Sequence, residues 1–102
     1  VFEFITSYAG FGLPNGIAVD LEDNIYVADT TNNRIVILDR GGNHLLDLTH
    51  PNDGYNGALF KPYAVAVDGE GTIIVADTGN RRVITIQDVN LPAYLFLPAI
   101  ER

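Results

Sequence analysis

Apolar residues in this chain come in short, Val- and Ile-rich runs, each stopped by turn-forming residues. GIAVD, IYVAD and RIVILD follow one another between residues 16 and 39, and AVAVD, IIVAD and RVITI between residues 64 and 86. These are strand lengths and strand residues, and the punctuation between them, Leu21 to Asn24 and Thr30 to Asn33, has turn chemistry. No window keeps a helical period. The runs are apolar on consecutive positions instead of alternate ones, which predicts strands covered on both faces, as in sheets stacked face to face.

The runs are also written twice. Pro14 recurs as Pro62, an offset of 48 (62 less 14), and PNGIAVDLEDNIYVADTTNNRIVILD lies over PYAVAVDGEGTIIVADTGNRRVITIQ without a gap. Self-similarity at a fixed period of this size predicts stacked repeat units, none of which buries its own apolar face alone. A fourth strand completes each unit: HLLDLT at 44–49 in the first, PAYLFL at 92–97 in the second. Before them, VFEFITSY at 1–8 reads as an outer strand. The expected organisation is an outer strand of a preceding or neighbouring unit at 1–10, a first unit at 11–50, a connecting loop at 51–61, a second unit core at 62–88, and an apolar tail at 89–102 that serves as outer strand or interchain contact.

P-x-G-I-A-V-D, then N-I-Y-V-A-D-T-x-N-N-R-I-V-I, followed by D-x-x-G, resembles the NHL repeat, whose blades build β-propellers, often of six. The likeness covers residues 11–49 and 57–88, with Tyr63-Ala64 departing from Asn15-Gly16. It implies an all-β fold of two four-stranded antiparallel blades, with the extra N-terminal strand beside them. Family members range from RNA-binding and protein-binding propellers to an amidoglycolate lyase that uses a bound metal.

Two blades do not close a ring, since propellers need about four to eight. The apolar outer faces are therefore expected to be covered by further copies or by the remainder of a longer chain. Three copies of two blades would make a six-bladed ring; a rotation that fails to close gives a filament. The self-association residues expected are Phe2, Phe4 and Ile5 in the leading strand and Tyr94, Leu95, Phe96 and Leu97 in the tail.

Charge narrows the partners. Thirteen acidic against six basic side chains give a net charge of -7, which repels nucleic acid, and no stretch approaches the ~18 to 20 apolar residues of a membrane span. With no cysteine, disulfides and thiolate chemistry are excluded. Val1 at the first position marks a processed product or an excised piece, and an extracellular or cell-surface location fits that.

In an antiparallel meander the loops at 30–33 and 78–81 share a face with the connection at 50–61, and the turns near 21–24, 40–43 and 69–72 lie opposite. Binding-face candidates on the longer-looped side are Asn33, His50, Tyr55, Lys61, Tyr63 and Arg81. Asp29 and Asp77, each followed five residues later by Arg34 or Arg82, are read as fold-serving because they recur: each carboxylate caps turn amides or pairs with the guanidinium. Asp20 and Asp68 are read likewise. His44 and His50 bracket one strand and so stand ~17 to 20 Å apart, too far to share a metal. Ser7 is the lone serine, and neither H-E-x-x-H nor a phosphate loop is present. No catalytic residue, metal ligand or cofactor is assigned. The expected function is a non-catalytic interaction scaffold that self-associates. The alternative is a fragment of a larger propeller binding a small ligand or metal on its axial face, in the manner of the lyase, with three His50 side chains meeting around an axis.

Overall fold

A computed structural model describes residues 1–50 and 57–87. The described chain is all-β. Strands β1 (Pro14–Val19), β2 (Ile25–Asp29), β3 (Arg34–Leu38) and β4 (His44–Leu48) form one antiparallel meander, sheet 1; β5 (Ala64–Val67), β6 (Ile73–Asp77) and β7 (Arg82–Ile86) form a second, sheet 2. The registers repeat with the sequence: Ala28 faces Ile35 in sheet 1 as Ala76 faces Val83 in sheet 2. The fourth strand expected at 92–97 lies outside the described residues. Within the chain residues 1–10 form no strand and are exposed, and neither edge strand of sheet 1, β1 or β4, takes them up.

The same turn closes three hairpins. Asp20, Asp39 and Asp68 each accept from the amides two and four residues on, at 2.8 to 3.0 Å. In each turn the fourth residue is left-handed: Asp23 at φ 66°, Gly42 at 86° and Gly71 at 85°. This one-residue bulge adds right-handed twist to the strands it joins. The side-chain oxygen replaces the ladder acceptor that the tight turn removes.

Sheet 2 lies across sheet 1, with β5 against β1 and β2. Each strand alternates, so the two faces of a sheet sort by residue parity. The face of sheet 1 that meets sheet 2, its trailing face, supplies Tyr26, Ala28, Ile35, Ile37 and Leu48; the leading face of sheet 2 answers with Val65, Ile73, Val75, Ile84 and Ile86. Leu59, 1% exposed, wedges between the sheets from the segment entering sheet 2. Its counterpart 48 positions earlier is Phe11. Phe11 packs in the same way on the leading face of sheet 1, with Ile25 beside it and Val27, Val36 and Leu38 buried beneath. The burial of large aliphatic side chains, ~1.5 to 3 kcal/mol each, makes this stacking the main source of stability.

At the point of closest approach stands Gly16. A Cβ there would lie 2.9 Å from the Ala64 Cα and 3.1 Å from the Tyr63 carbonyl oxygen, both backbone atoms that cannot swing away. Gly16→Ala therefore forces the sheets apart and costs about 1 to 3 kcal/mol, read as a lowered midpoint in denaturant titration at unchanged strand content.

Candidate functional site

One face of the molecule is built around two copies of a single carboxylate corner. Asp29 ends β2 and is fully buried. Its Oδ1 accepts from the amides of Gly12 at 2.8 Å and Leu13 at 3.2 Å, and its Oδ2 accepts from Asn32 Nδ2 at 2.9 Å and Arg34 Nε at 2.8 Å. Asp77, equally buried, accepts from the Phe60 amide, Asn80 Nδ2 and Arg82 Nε at 2.8 to 2.9 Å. The chain between acid and arginine makes a single 3-10 turn, at Thr30–Asn32 and Thr78–Asn80, closed by a left-handed residue, Asn33 or Arg81. The expected pairing of acid and arginine is present. The amides capped are not those of the turn itself but those of the segment leading into the first strand of the same sheet, some 17 residues back. Each corner thus fastens the start of its unit to the middle. The guanidinium of Arg34 continues outward to the Gly10 carbonyl at 2.9 Å and to Asp47 at 3.1 Å, and His44 Nε2 reaches the other oxygen of Asp47 at 2.7 Å.

Burial by itself pushes the Asp29 carboxyl up. The hydrogen bonds from Asn32, Arg34 and the Gly12 and Leu13 amides outweigh it and hold the group below the usual carboxylate value. Asp39 and Asp68 are also held low, by the amides of Asn43 and Thr72 first and by the remaining turn amides after them.

Across the two sheets the corners are stitched by polar contacts that the sequence reading missed. Asn15 Nδ2 donates to the Thr30 hydroxyl at 2.8 Å, and that hydroxyl donates to the Pro62 carbonyl at 2.7 Å. Asn33 Oδ1 accepts from the Lys61 amide at 2.9 Å, so Asn33 joins the two units. Both contacts confirm that the 30–33 turn and the end of the long connection share one face. The signal for them was available in the repeat: Thr30 recurs as Thr78, while Asn15 and Asn33 do not recur.

The other candidates are exposed and do not converge. Lys61, at φ 52°, lays its ammonium 5.3 Å from the centre of the Phe60 ring. Tyr63 is exposed with its amide bonded to the Ala76 carbonyl, and Arg81 is exposed at φ 57°. His50 contacts the neighbouring Thr49 hydroxyl at 3.1 Å. Tyr55 lies outside the described residues, as do Tyr94, Leu95, Phe96 and Leu97. Among the described residues no three of His, Asp and Glu lie close enough to hold a metal ion.

The remaining surface feature is the trailing face of sheet 2. Ala64, Ala66, Val83 and Thr85 are exposed there and Ile74 and Ala76 only half-buried, whereas on sheet 1 the counterparts Tyr26, Ala28, Ile35 and Ile37 are buried under sheet 2 and Gly16 and Ala18 are half-buried. The family model of the NHL repeat matches residues 11–38, the segment that runs from the Phe11 wedge through the carboxylate corner to the end of β3. The first unit is therefore similar to an NHL repeat. The second unit repeats its register and its Asp-Arg corner at the 48-residue offset. No curated protein matches the chain.

Asp29→Asn removes the buried charge that Arg34 and two amides converge on, and costs about 2 to 4 kcal/mol. Because the folded Asp29, Asp39 and Asp68 are held below their unfolded values, their stabilisation is complete above about pH 4 and is lost as pH falls through the folded values. Thermal melts between pH 5 and 2.5 are expected to show falling stability in the parent chain and a shallower fall in Asp29→Asn.

Proposed function

We propose that the chain is a non-catalytic structural module that associates with further copies of itself, the bare trailing face of sheet 2 receiving a sheet as sheet 1 receives sheet 2. One observation carries this reading. The face left open on sheet 2 is, residue for residue under the 48-residue offset, the face that is buried on sheet 1. A sheet surface of Ala, Val and Ile beside a rigid turn is stable in water only while small, and stacked repeats cover it with the next repeat. Such a contact joins two different surfaces and so is heterologous: it closes into a ring if the rotation per copy allows, three copies giving six blades, and otherwise extends as a filament. The leading segment, with Phe2, Phe4 and Ile5 exposed, is the stretch that a neighbouring copy takes up along a sheet edge.

The test is the mass of the intact chain under non-denaturing conditions, across a concentration series. A discrete trimer or a ladder of sizes supports self-association, and a monomer at every concentration overturns it. Ala66→Glu places a charge on the open face, where Ala66 is exposed, and is expected to shift the population to monomer with an unchanged circular dichroism spectrum.

A further inference from the structure

We infer that the sheet received by sheet 2 is sheet 1 of a second copy, docked through its inner edge, and that Ala64 sets how closely it seats. The inference rests on the self-association reading above and goes on to say which surface docks and which residue controls it.

The amides entering each unit distinguish the two sheets as occupants. Among the described residues the Lys61 amide finds no acceptor in its own unit and takes one from the unit before it, Asn33 Oδ1 at 2.9 Å. Its counterpart in the first unit is the Leu13 amide, which is satisfied internally by Asp29 Oδ1 at 3.2 Å. On sheet 2 the position equivalent to Asn33 is Arg81, a side chain with donors and no acceptor. A copy docking by sheet 1 brings an amide that needs nothing from that position. A copy docking by sheet 2 would bring the Lys61 amide against a guanidinium that cannot accept its proton. The donor-only residue and the self-satisfied amide therefore belong to the same contact.

The docking surface is available. On the leading face of sheet 1 the outer residues Val36 and Leu38 are buried, but Ile17 and Val19 on β1 are 68% and 55% exposed. Within the chain, β5 is the strand through which sheet 2 meets sheet 1, against β1 and β2, so the inner strands are where blades touch. In the copy-to-copy contact β1 takes the place of β5, and Ile17 and Val19 take the places of Val65 and Val67. Thr78 repeats Thr30, and its hydroxyl, now turned to the Ala76 carbonyl at 3.4 Å, is placed to donate to the carbonyl of the second copy's Pro14 as Thr30 donates to Pro62.

Seating differs at one position. Gly16 lets β5 approach to where a Cβ would lie 2.9 Å from a backbone carbon. On sheet 2 that position is Ala64, whose methyl points at the backbone of the second copy's Gly16 and holds the two inner strands apart. The copy-to-copy contact is thus a strained version of the internal one, relieved by removing one methyl group.

Sedimentation velocity on the full chain tests each part. Ala64→Gly is expected to tighten self-association about tenfold, and Arg81→Asn to leave it within about twofold. Ile17→Glu and Ala66→Glu each block one of the two surfaces, so each alone is expected to be monomeric. An equimolar mixture is expected to give a two-copy complex and nothing larger, because each variant keeps the surface that the other lacks. If the parent chain self-associates but the mixture gives no complex, sheet 1 is not the occupant. If Ala64→Gly leaves the association unchanged, Ala64 does not control seating. Tightening by Arg81→Asn would mean that the docked sheet carries an amide in need of an acceptor, which overturns sheet 1 in favour of sheet 2. A parent chain that stays monomeric throughout removes the self-association reading, and this inference with it.

Discussion

A sheet whose strands are apolar on consecutive residues has two faces to cover, and the stacking of sheet 2 on sheet 1 covers only one face of each. Ile73 and Val75 are sealed because Tyr26, Ala28, Ile35 and Ile37 lie over them. That contact aligns the two units, fixes which turns share a face, and leaves two unlike surfaces at the ends of the stack. On the leading side Phe11 closes part of the surface, as Leu59 does between the sheets. Among the described residues the trailing side of sheet 2 has no such cover. Everything inferred about association follows from this inequality between two faces of one repeated design.

The buried carboxylates serve the stacking by making the units rigid where they meet. A carboxylate with no exposed surface is tolerable only when its lone pairs are filled, and Asp29 has four donors within 3.2 Å. Two of them come from the segment that carries Phe11 onto the sheet. The corner thus places the wedge, and the wedge completes the apolar face. The three hairpins at the opposite end use carboxylates differently, as half-buried or exposed acceptors for turn amides, and they carry no aromatic wedge. One end of each blade is therefore anchored and the other merely closed, which is why the polar contacts between blades, Thr30 to Pro62 and Asn33 to Lys61, occur only at the anchored end.

Strand order within each sheet, the repeat and the Asp-Arg corner were legible in the sequence because each depends on local spacing. The runs IYVAD and RIVIL carry their own periodicity, and a residue that recurs at 48 positions announces its role in the unit. Local spacing does not supply a strand's partner. VFEFITSY has the alternation of a strand, but a strand also needs an edge to pair with, and alternation says nothing of that. Nor does spacing show that the polar Asn33, on a loop face, meets an amide 28 residues later. The close approach at Gly16 was illegible too, since a glycine in a strand looks like a weakness until the neighbouring backbone is in view.

Three of the places where the repeat breaks lie on one surface. Gly16 becomes Ala64, Asn15 becomes Tyr63 and Asn33 becomes Arg81, and in sheet 1 all three are residues that touch or support sheet 2. By contrast, the residues inside each unit, the acid, the arginine and the Asn between them, do not change. Substitution has fallen on the surface that receives the next blade and spared the corner that builds the blade. Among the apolar positions of that face, 66, 74, 76 and 83 remain apolar, while the buried Ile37 gives way to the exposed Thr85. The face has thus exchanged an acceptor at 33 for a donor at 81 and one aliphatic side chain for a hydroxyl, and kept the rest of its apolar pattern.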